Sequence, residues 1–186
     1  FHTLQRNWIL ASSIKNCEGV VSSSCKISQE LFLSQDLGKT WTYLIDDVIQ
    51  FAWAVQDKSF LANMPEQRIL LTRDINTKDT SEQGTWTKDV KMSYTDDFTK
   101  NRNGILNQAQ NFLVTRDYLF AIRVNDERTQ DVTLYICSPN SSAYDFKPVD
   151  LPFKNELYDR SISILDSSEG QVFLHVNHLG AKAKYG

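Results

Sequence analysis

The sequence has few features that would place it in a membrane, on a nucleic acid or among helical proteins. No apolar run approaches the roughly 20 residues that a membrane-spanning helix needs. Lys and Arg are scattered along the chain rather than clustered, and the formal net charge is -3. Apolar residues at helical spacing are nearly missing. We therefore expect no helical bundle, no nucleic acid as a partner and no membrane span within these residues.

The beginning of the chain also lacks two common features. The first residues, F-H-T-L-Q-R, contain no initiator Met. They also lack the basic, apolar and small-residue regions of a secretory signal. Hydrophobic residues nevertheless make up 41% of the 186 residues and charged residues 23%, which predicts a packed core rather than disorder. We expect an internal or processed piece of a longer chain.

Short strand-like segments fill most of the sequence. Most of them are separated by turn-forming Asn, Asp, Gly, Ser or Pro. The segment 48–55 is almost continuously apolar, which is typical of a strand buried on both faces. The polar segment 104–111 is ambiguous. Many short strands at close spacing predict a sandwich, a barrel or a propeller. The predicted strands cover residues 8–12, 30–33, 41–44, 48–55, 68–72, 111–114, 118–124, 132–137, 161–165 and 171–176.

One turn pattern recurs along the chain. A strand runs into a polar turn that starts with Ser/Thr-x-Asp and often continues to an aromatic residue. The complete copy is S-Q-D-L-G-K-T-W at residues 34–41, and looser copies lie at 70–86, 93–98 and 134–144. A spacing of about 40 to 55 residues fits propeller blades better than solenoid coils.

The complete copy resembles the Asp-box, S-x-D-x-G-x-T-W, a turn between two strands of certain propeller blades. Ser34 and Asp36 can bind nearby backbone amides. Gly38 supplies a positive φ that other residues rarely adopt. Thr40 is expected to start the outgoing strand, and Trp41 to cover the neighbouring hydrophobic layer. These roles are structural, so Asp36 is not predicted to be a catalyst.

The cysteines and one sequon favour the secretory pathway. Cys17 and Cys25 are separated by seven residues in a segment rich in Gly and Ser, a spacing that fits neither a redox pair nor a zinc knuckle. A small disulfide-closed loop is the favoured interpretation, and two free thiols are the alternative. Cys137 lies in a strand-like run and is predicted to be a buried thiol. Asn140 begins the sequon N-S-S, a potential glycosylation site.

Catalytic and metal-binding patterns are not found. The histidines His2, His175 and His178 have neither a cysteine pair nor a metalloprotease motif beside them. The acidic pairs 46–47 and 96–97 are expected to be solvated or bound to amides, and a glycosidase acid and base is the weaker alternative. We therefore predict no metal, no cofactor and no catalytic residue. Six arginines could join a sialidase-type cluster, but no spacing singles out three of them: Arg68, Arg73, Arg102, Arg116, Arg123 and Arg128.

Asp-boxes occur in sialidases and other glycosidases, in noncatalytic propellers and in sortilin-family receptors. The segments W-I-L-A-S at 8–12, V-I-Q-F-A-W at 48–53 and S-I-L-D-S-S-E-G-Q-V-F-L-H-V at 163–176 resemble the sortilin family. The resemblance covers almost the whole chain in consistent order and is closest to fungal vacuolar sorting receptors. It implies an all-β fold in which residues 1–186 form about three to four blades of a ten-bladed β-propeller with Asp-box hairpins, incomplete at both ends.

The resemblance also implies a function. The chain would belong to the ligand-binding lumenal part of a single-span receptor that carries soluble vacuolar hydrolases, such as carboxypeptidase Y, or their propeptides from the late Golgi to endosomes. Other blades and cysteine-rich modules of the same chain would be further partners, and the membrane would be contacted only through a span outside residues 1–186. An Asp-box glycosidase and an adhesion propeller are the alternatives.

The ligand-binding residues stay unassigned. In sortilin relatives, an arginine on a strand inside the propeller tunnel holds the terminal carboxylate of a peptide. Our register places that strand at 132–136, which contains no arginine. Arg128 is close in sequence but does not match the pattern.

Overall fold

A computed structural model describes residues 1–14, 28–54, 67–75, 90–98, 103–115, 117–126, 131–138, 144–151, 160–168 and 171–178. Cys17, Cys25 and Asn140 therefore lie outside the described residues. These ranges contain strands and no helix, so they include no helix that could cross a membrane. The strands are β1 (Ile9–Ile14), β2 (Gln29–Ser34), β3 (Thr42–Ile45), β4 (Val48–Trp53), β5 (Ile69–Asp74), β6 (Val90–Thr95), β7 (Asn103–Asn107), β8 (Ala109–Val114), β9 (Leu119–Asp126), β10 (Asp131–Cys137), β11 (Lys147–Pro148), β12 (Arg160–Ser168) and β13 (Gln171–His178).

Each sheet is built from strands that follow one another in the chain. The first sheet contains β1, β2 and β3, the second β4 to β7, the third β8 to β11, and the fourth β12 and β13. All pairs of neighbouring strands are antiparallel. Successive small antiparallel meanders are the pattern of propeller blades. The prediction of an all-β fold is confirmed, and the chain is a fragment of a β-propeller.

The sheets pack face to face in chain order. Leu70 and Leu71 follow one another in β5 and therefore point to opposite faces of the second sheet, yet both are buried. Leu71 packs against the first sheet and Leu70 against the third. Far-side residues of the third sheet, Ile122 and Leu134, pack with Leu174 of β13. Three apolar layers thus hold the four sheets together.

The first and second sheets repeat the same strand register. Leu31 pairs with Ile45 and Phe32 with Tyr43, with one extra residue between the two partners. The residues 61 positions later behave identically: 92 pairs with 106 and 93 with 104. The bulge between the last two strands of each sheet is therefore part of the repeating unit, because an extra residue at the same place bends both strands alike.

The links between sheets repeat as well. Asp47 joins the first sheet to the second with φ 57°, and Gln108 joins the second to the third with φ 58°. The carbonyl of Asp47 accepts from the amide of Asp74 at 3.1 Å, and that of Gln108 accepts from Val124 at 2.9 Å. One left-handed residue is enough to turn the chain from the last strand of one sheet into the first strand of the next.

Three strands, β6, β7 and β11, are missing from the strands predicted by the sequence analysis, although the looser turn at 93–98 implied a strand at β6. β7 overlaps the ambiguous segment 104–111, and its residues are half-buried or exposed because it is the outer strand of the second sheet. An outer strand buries little of either face, so it shows no apolar alternation. β11 consists only of Lys147 and Pro148, and both side chains are exposed.

Candidate functional site

The turn that follows β2 is closed by three side chains. The hydroxyl of Ser34 accepts from the amides of Gly38 at 2.8 Å and Asp36 at 3.4 Å, and donates to Asp36 Oδ1 at 2.8 Å. The two carboxylate oxygens of Asp36 accept from Thr40, from its amide at 2.9 Å and its hydroxyl at 2.6 Å. These bonds satisfy backbone groups that the turn would otherwise leave without partners.

Two consecutive left-handed residues give this turn its shape. Leu37 has φ 62° and Gly38 has φ 86°. A Cβ atom on Gly38 would lie 3.6 Å from Trp41 Cζ2, an ordinary contact distance. The requirement for glycine is therefore conformational rather than steric.

Two expectations about the end of the turn were wrong. Strand β3 begins at Thr42, so Thr40 belongs to the turn, where both of its polar groups bind Asp36. Trp41 does not cover a hydrophobic layer: its side chain is 45% exposed and lies against Gly38 of its own turn. The indole contacts the turn because the chain has not yet entered the strand when it reaches Trp41.

The carboxylate of Asp36 is held in its charged form. The Thr40 hydroxyl, followed by the Thr40 amide, lowers the pKa of Asp36 to about 2. A group that is fully ionised near neutral pH and already accepts three hydrogen bonds is a poor proton donor. The geometry gives Asp36 no acid–base role.

The looser copy of the turn after β6 keeps part of this arrangement. Thr95 occupies the place of Ser34, and its hydroxyl donates to Asp97 Oδ1 at 3.0 Å. Phe98, like Leu37, is left-handed, with φ 57°. The remaining consensus positions carry other residues, Thr99, Asn101 and Arg102. The hydroxyl-to-carboxylate bond and the left-handed residue are thus the part that both turns share.

A cysteine takes the corresponding place in the third sheet. Thr95 pairs with the first residue of β5, and Cys137 pairs in the same way with Leu119, the first residue of β9. Cys137 is a buried thiol, as predicted, and donates to the carbonyl of Ser138 at 3.5 Å. The side-chain bonding of the Asp-box is therefore not required for a sheet of this fold.

One arginine joins the second and third sheets. Arg68 donates from Nε and Nη2 to the two oxygens of Asp96, at 2.6 and 2.8 Å, and from Nη1 to the Tyr144 hydroxyl at 3.0 Å. Its guanidinium also lies 4.1 Å from the ring centroid of Tyr94. Burial alone would lower the pKa of Arg68, but the bonds to Asp96 and Tyr144 raise it above its usual value. We call these four residues the arginine clamp.

The described arginines do not form a sialidase-type cluster. Arg68 precedes β5 and Arg73 lies near its end, which separates them by roughly 16 Å along an extended strand. Arg73 donates to Asp46, to the backbone carbonyl at 2.9 Å and to Oδ1 at 3.2 Å. Arg123 belongs to the third sheet. Arg102, Arg116 and Arg128 lie outside the described residues.

His2 has a role that the sequence analysis missed. Its Nδ1 accepts from the amides of Leu4 at 3.0 Å and Gln5 at 2.9 Å, and its ring lies edge-on to Trp8 and Trp53. The side chain is buried. Only a local pattern could have predicted this role: a side chain that accepts hydrogen bonds, placed two and three residues before the amides of a turn. His175, by contrast, is exposed on β13.

A cavity of about 240 Å³ lies beside His2, between the start of the chain and β4. It is lined mainly by apolar side chains, with the Thr3 hydroxyl and the Trp53 indole N–H as the polar side-chain groups. Such a lining could hold an apolar group but offers no acid, base or nucleophile. No cluster of three metal-ligating residues occurs among the residues described. The lining residues are Phe1, Thr3, Leu10, Phe51, Ala52 and Trp53.

Comparison with known proteins gives consistent matches. The family model Sortilin-Vps10, described as sortilin, neurotensin receptor 3, matches residues 1–186. Vacuolar protein sorting/targeting protein 10 of Schizosaccharomyces pombe is 25% identical over 187 residues, which is 98% of this chain and 12% of that protein. The protein of the same name from Mycosarcoma maydis is 22% identical over 188 residues, 100% of this chain and 12% of the relative. The chain thus spans 12% of the length of these two relatives.

Proposed function

Because the chain belongs to the Sortilin-Vps10 family, we propose that it is part of the ligand-binding region of a vacuolar sorting receptor. The observation that carries the proposal is the family match over residues 1–186. The names of the relatives, vacuolar protein sorting/targeting protein 10, point to the same role. The described polar side chains agree with it, because Asp36, Asp46 and Asp96 are engaged in turns or ion pairs.

The finer proposal concerns route, cargo and architecture. The receptor would carry soluble vacuolar hydrolases, carboxypeptidase Y among them, or their propeptides, from the late Golgi to endosomes. These residues would face the lumen as part of a ten-bladed propeller. The same receptor chain would supply the remaining blades, cysteine-rich modules and a membrane span. Cargo would be held by surface complementarity rather than by a reactive centre, so we propose that the protein is not an enzyme.

We propose structural roles for the residues singled out in the sequence. Ser34, Asp36, Gly38, Thr40 and Trp41 would build a hairpin and contact no ligand. Cys17 and Cys25 would close a loop by a disulfide, and Asn140 would carry a glycan. A mass spectrum of the secreted protein before and after reduction and deglycosylation would test both modifications.

Removal of the receptor tests the proposal in the cells that make it. We expect vacuolar hydrolases to appear in the medium in their precursor form, and to return to the vacuole when the intact protein is restored. The matched control is the same protein without the propeller. Normal hydrolase delivery in cells that lack the receptor would contradict the proposal.

Direct binding tests the cargo. The intact lumenal region, used as bait against a vacuolar extract, should retain a soluble hydrolase near neutral pH and release it in mild acid. Sialosides and glucans should be left unchanged by the same preparation. Turnover of either sugar, lost on changing a single acidic residue or arginine, would instead establish the glycosidase alternative.

A further inference from the structure

The first strands of the second and third sheets are joined by one side-chain amide. Gln50 of β4 donates from Nε2 to the backbone carbonyl of Phe112 at 2.7 Å, and its Oε1 accepts from the Phe112 amide at 2.9 Å. Because β8 lies at one end of its sheet, these backbone groups have no further strand to bind on that side. One side chain satisfies both of them, as a neighbouring strand would. We call this pair of bonds the amide pin.

Asn111 takes the place of Gln50 in the third sheet. Gln50 pairs with Thr72 directly after the bulge in β4, and Asn111 pairs with Ile122 directly after the bulge in β8. Phe112 packs against the second sheet, so the side chain of the preceding residue points to the opposite face, toward the fourth sheet. The repeat therefore places a second amide at the junction between the third and fourth sheets.

The fourth sheet offers the backbone groups that a second pin would bind. The residue directly after the bulge is Asp166 in β12, as it is Asn111 in β8. The next residue along β12, Ser167, therefore corresponds by register to Phe112. Its backbone N–H and C=O stand at the place of those that Gln50 binds at the preceding junction.

The second amide makes no pin. Oδ1 of Asn111 is buried and has no hydrogen-bond partner in the part of the chain that the structure describes. Asparagine is one methylene shorter than glutamine, which reduces the reach of its amide by about 1.5 Å. A buried acceptor without a donor costs free energy instead of contributing it. Two junctions with the same strand register thus differ in one bond length of side chain.

We propose that the junction between the third and fourth sheets is a weak joint, at which β8 and β12 separate more readily than β4 and β8 do. The second and third sheets are tied by the amide pin and by the bond from Arg68 to Tyr144. The third and fourth sheets are held by the apolar layer that contains Ile122 and Leu174. A joint of this kind lets packed sheets move as rigid bodies on either side of it. The inference goes beyond the sorting role and does not depend on it.

Hydrogen exchange of two backbone amides in the intact protein tests the joint. After correction for intrinsic rates, the Ser167 amide should exchange about tenfold faster than the pinned Phe112 amide, since one hydrogen bond contributes roughly that factor. Gln50→Asn should remove the difference by speeding exchange at Phe112 about tenfold. Gln50→Met keeps the length of the side chain and loses the amide, so it should have the same effect and separates hydrogen bonding from packing.

The reciprocal change provides the sharper arm. Asn111→Gln should supply the missing pin and slow exchange at Ser167 about tenfold. Asn111→Met, the matched control, should not slow it, because it has the same length and no amide. Equal protection of the two amides in the unchanged protein would overturn the proposal, as would unchanged exchange at Phe112 in Gln50→Met or equal slowing by both Asn111 variants. The first comparison needs no substitution, so a variant that fails to fold leaves the test intact.

Discussion

The turns after β2 and β6 have the same geometry at their start and different residues at their end. Both begin with a hydroxyl that donates to a carboxylate two positions later, in Ser34–Asp36 and in Thr95–Asp97, and both continue through a left-handed residue. The second turn has Thr99 where the first has Gly38. The comparison teaches that the first four positions direct the chain and that the rest of the Asp-box adds further stabilisation.

The two sheet junctions differ in chemistry rather than in backbone. Below the first junction Trp8 packs against the rings of Trp53 and Phe98. Arg68 takes the same place in the second sheet, because Trp8 precedes Ile9 and Arg68 precedes Ile69, the first paired residue of each strand. Arg68 forms the arginine clamp with Asp96. One junction is thus closed by apolar rings and the other by a charged hydrogen-bond network. The same backbone position accepts either solution because the contact is set by the register.

The largest expected difference in the free energy of unfolding concerns two phenylalanines at equivalent positions, Phe51 and Phe112. Phe112 is 1% exposed, whereas Phe51 is half-buried and lines the cavity. Phe112→Ala should lower the free energy of unfolding of its region by about 3 to 5 kcal/mol. Phe51→Ala should lower it by only about 1 to 2 kcal/mol, since less apolar surface leaves water there. Hydrogen exchange of the intact protein measures both, and equal losses would contradict the comparison.

An intermediate effect on stability is expected at two arginines, Arg68 just before β5 and Arg73 within it. Arg68→Gln leaves Asp96 and Tyr144 without their donor and should cost about 2 kcal/mol. Arg73→Gln should cost only about 0.5 kcal/mol, because its partner Asp46 is nearly half exposed and water screens the pair. A double-mutant cycle with Asp96→Asn isolates the Arg68 contribution, and a coupling near zero would show that the clamp is not cooperative.

The smallest expected effect on stability appears only at acidic pH. The pKa of Asp36 is lowered to about 2 in the folded protein from 3.8. Its contribution to stability is therefore complete above pH 3.8 and is lost as the pH falls through about 2. NMR titration of the Asp36 carboxyl should give the low value in the native protein and a higher one in Thr40→Val. An unchanged value in that variant would exclude the Thr40 hydroxyl as the main cause.

The strands with apolar runs were predictable, because two-sided burial requires apolar residues at successive positions. β4 and β5 were found in this way, whereas the outer strand β7 carries no such signal. The bonds of Ser34, Asp36 and Thr40 follow from short-range turn chemistry. The exposure of Trp41 could not be predicted, since a sequence does not say whether another sheet lies above an aromatic ring. The arginine clamp joins Arg68 to Tyr144, which lies 76 positions later in the chain, and no local sequence pattern predicts such a pair.

The sequence by itself determined the all-β class, the repeating strand-and-turn unit and the family, because apolar alternation and turn chemistry act over a few residues. Only the tertiary structure decided which arginines are neutralised. Arg68, Arg73 and Arg123 are chemically identical, and all three lie next to or within a strand. Their difference arises from what other parts of the fold bring to them: Asp96 and Tyr144 bind Arg68, Asp46 binds Arg73, and Arg123 has no ion pair within the described ranges. Electrostatic pairing depends on distance in space, and that distance is set by register and packing.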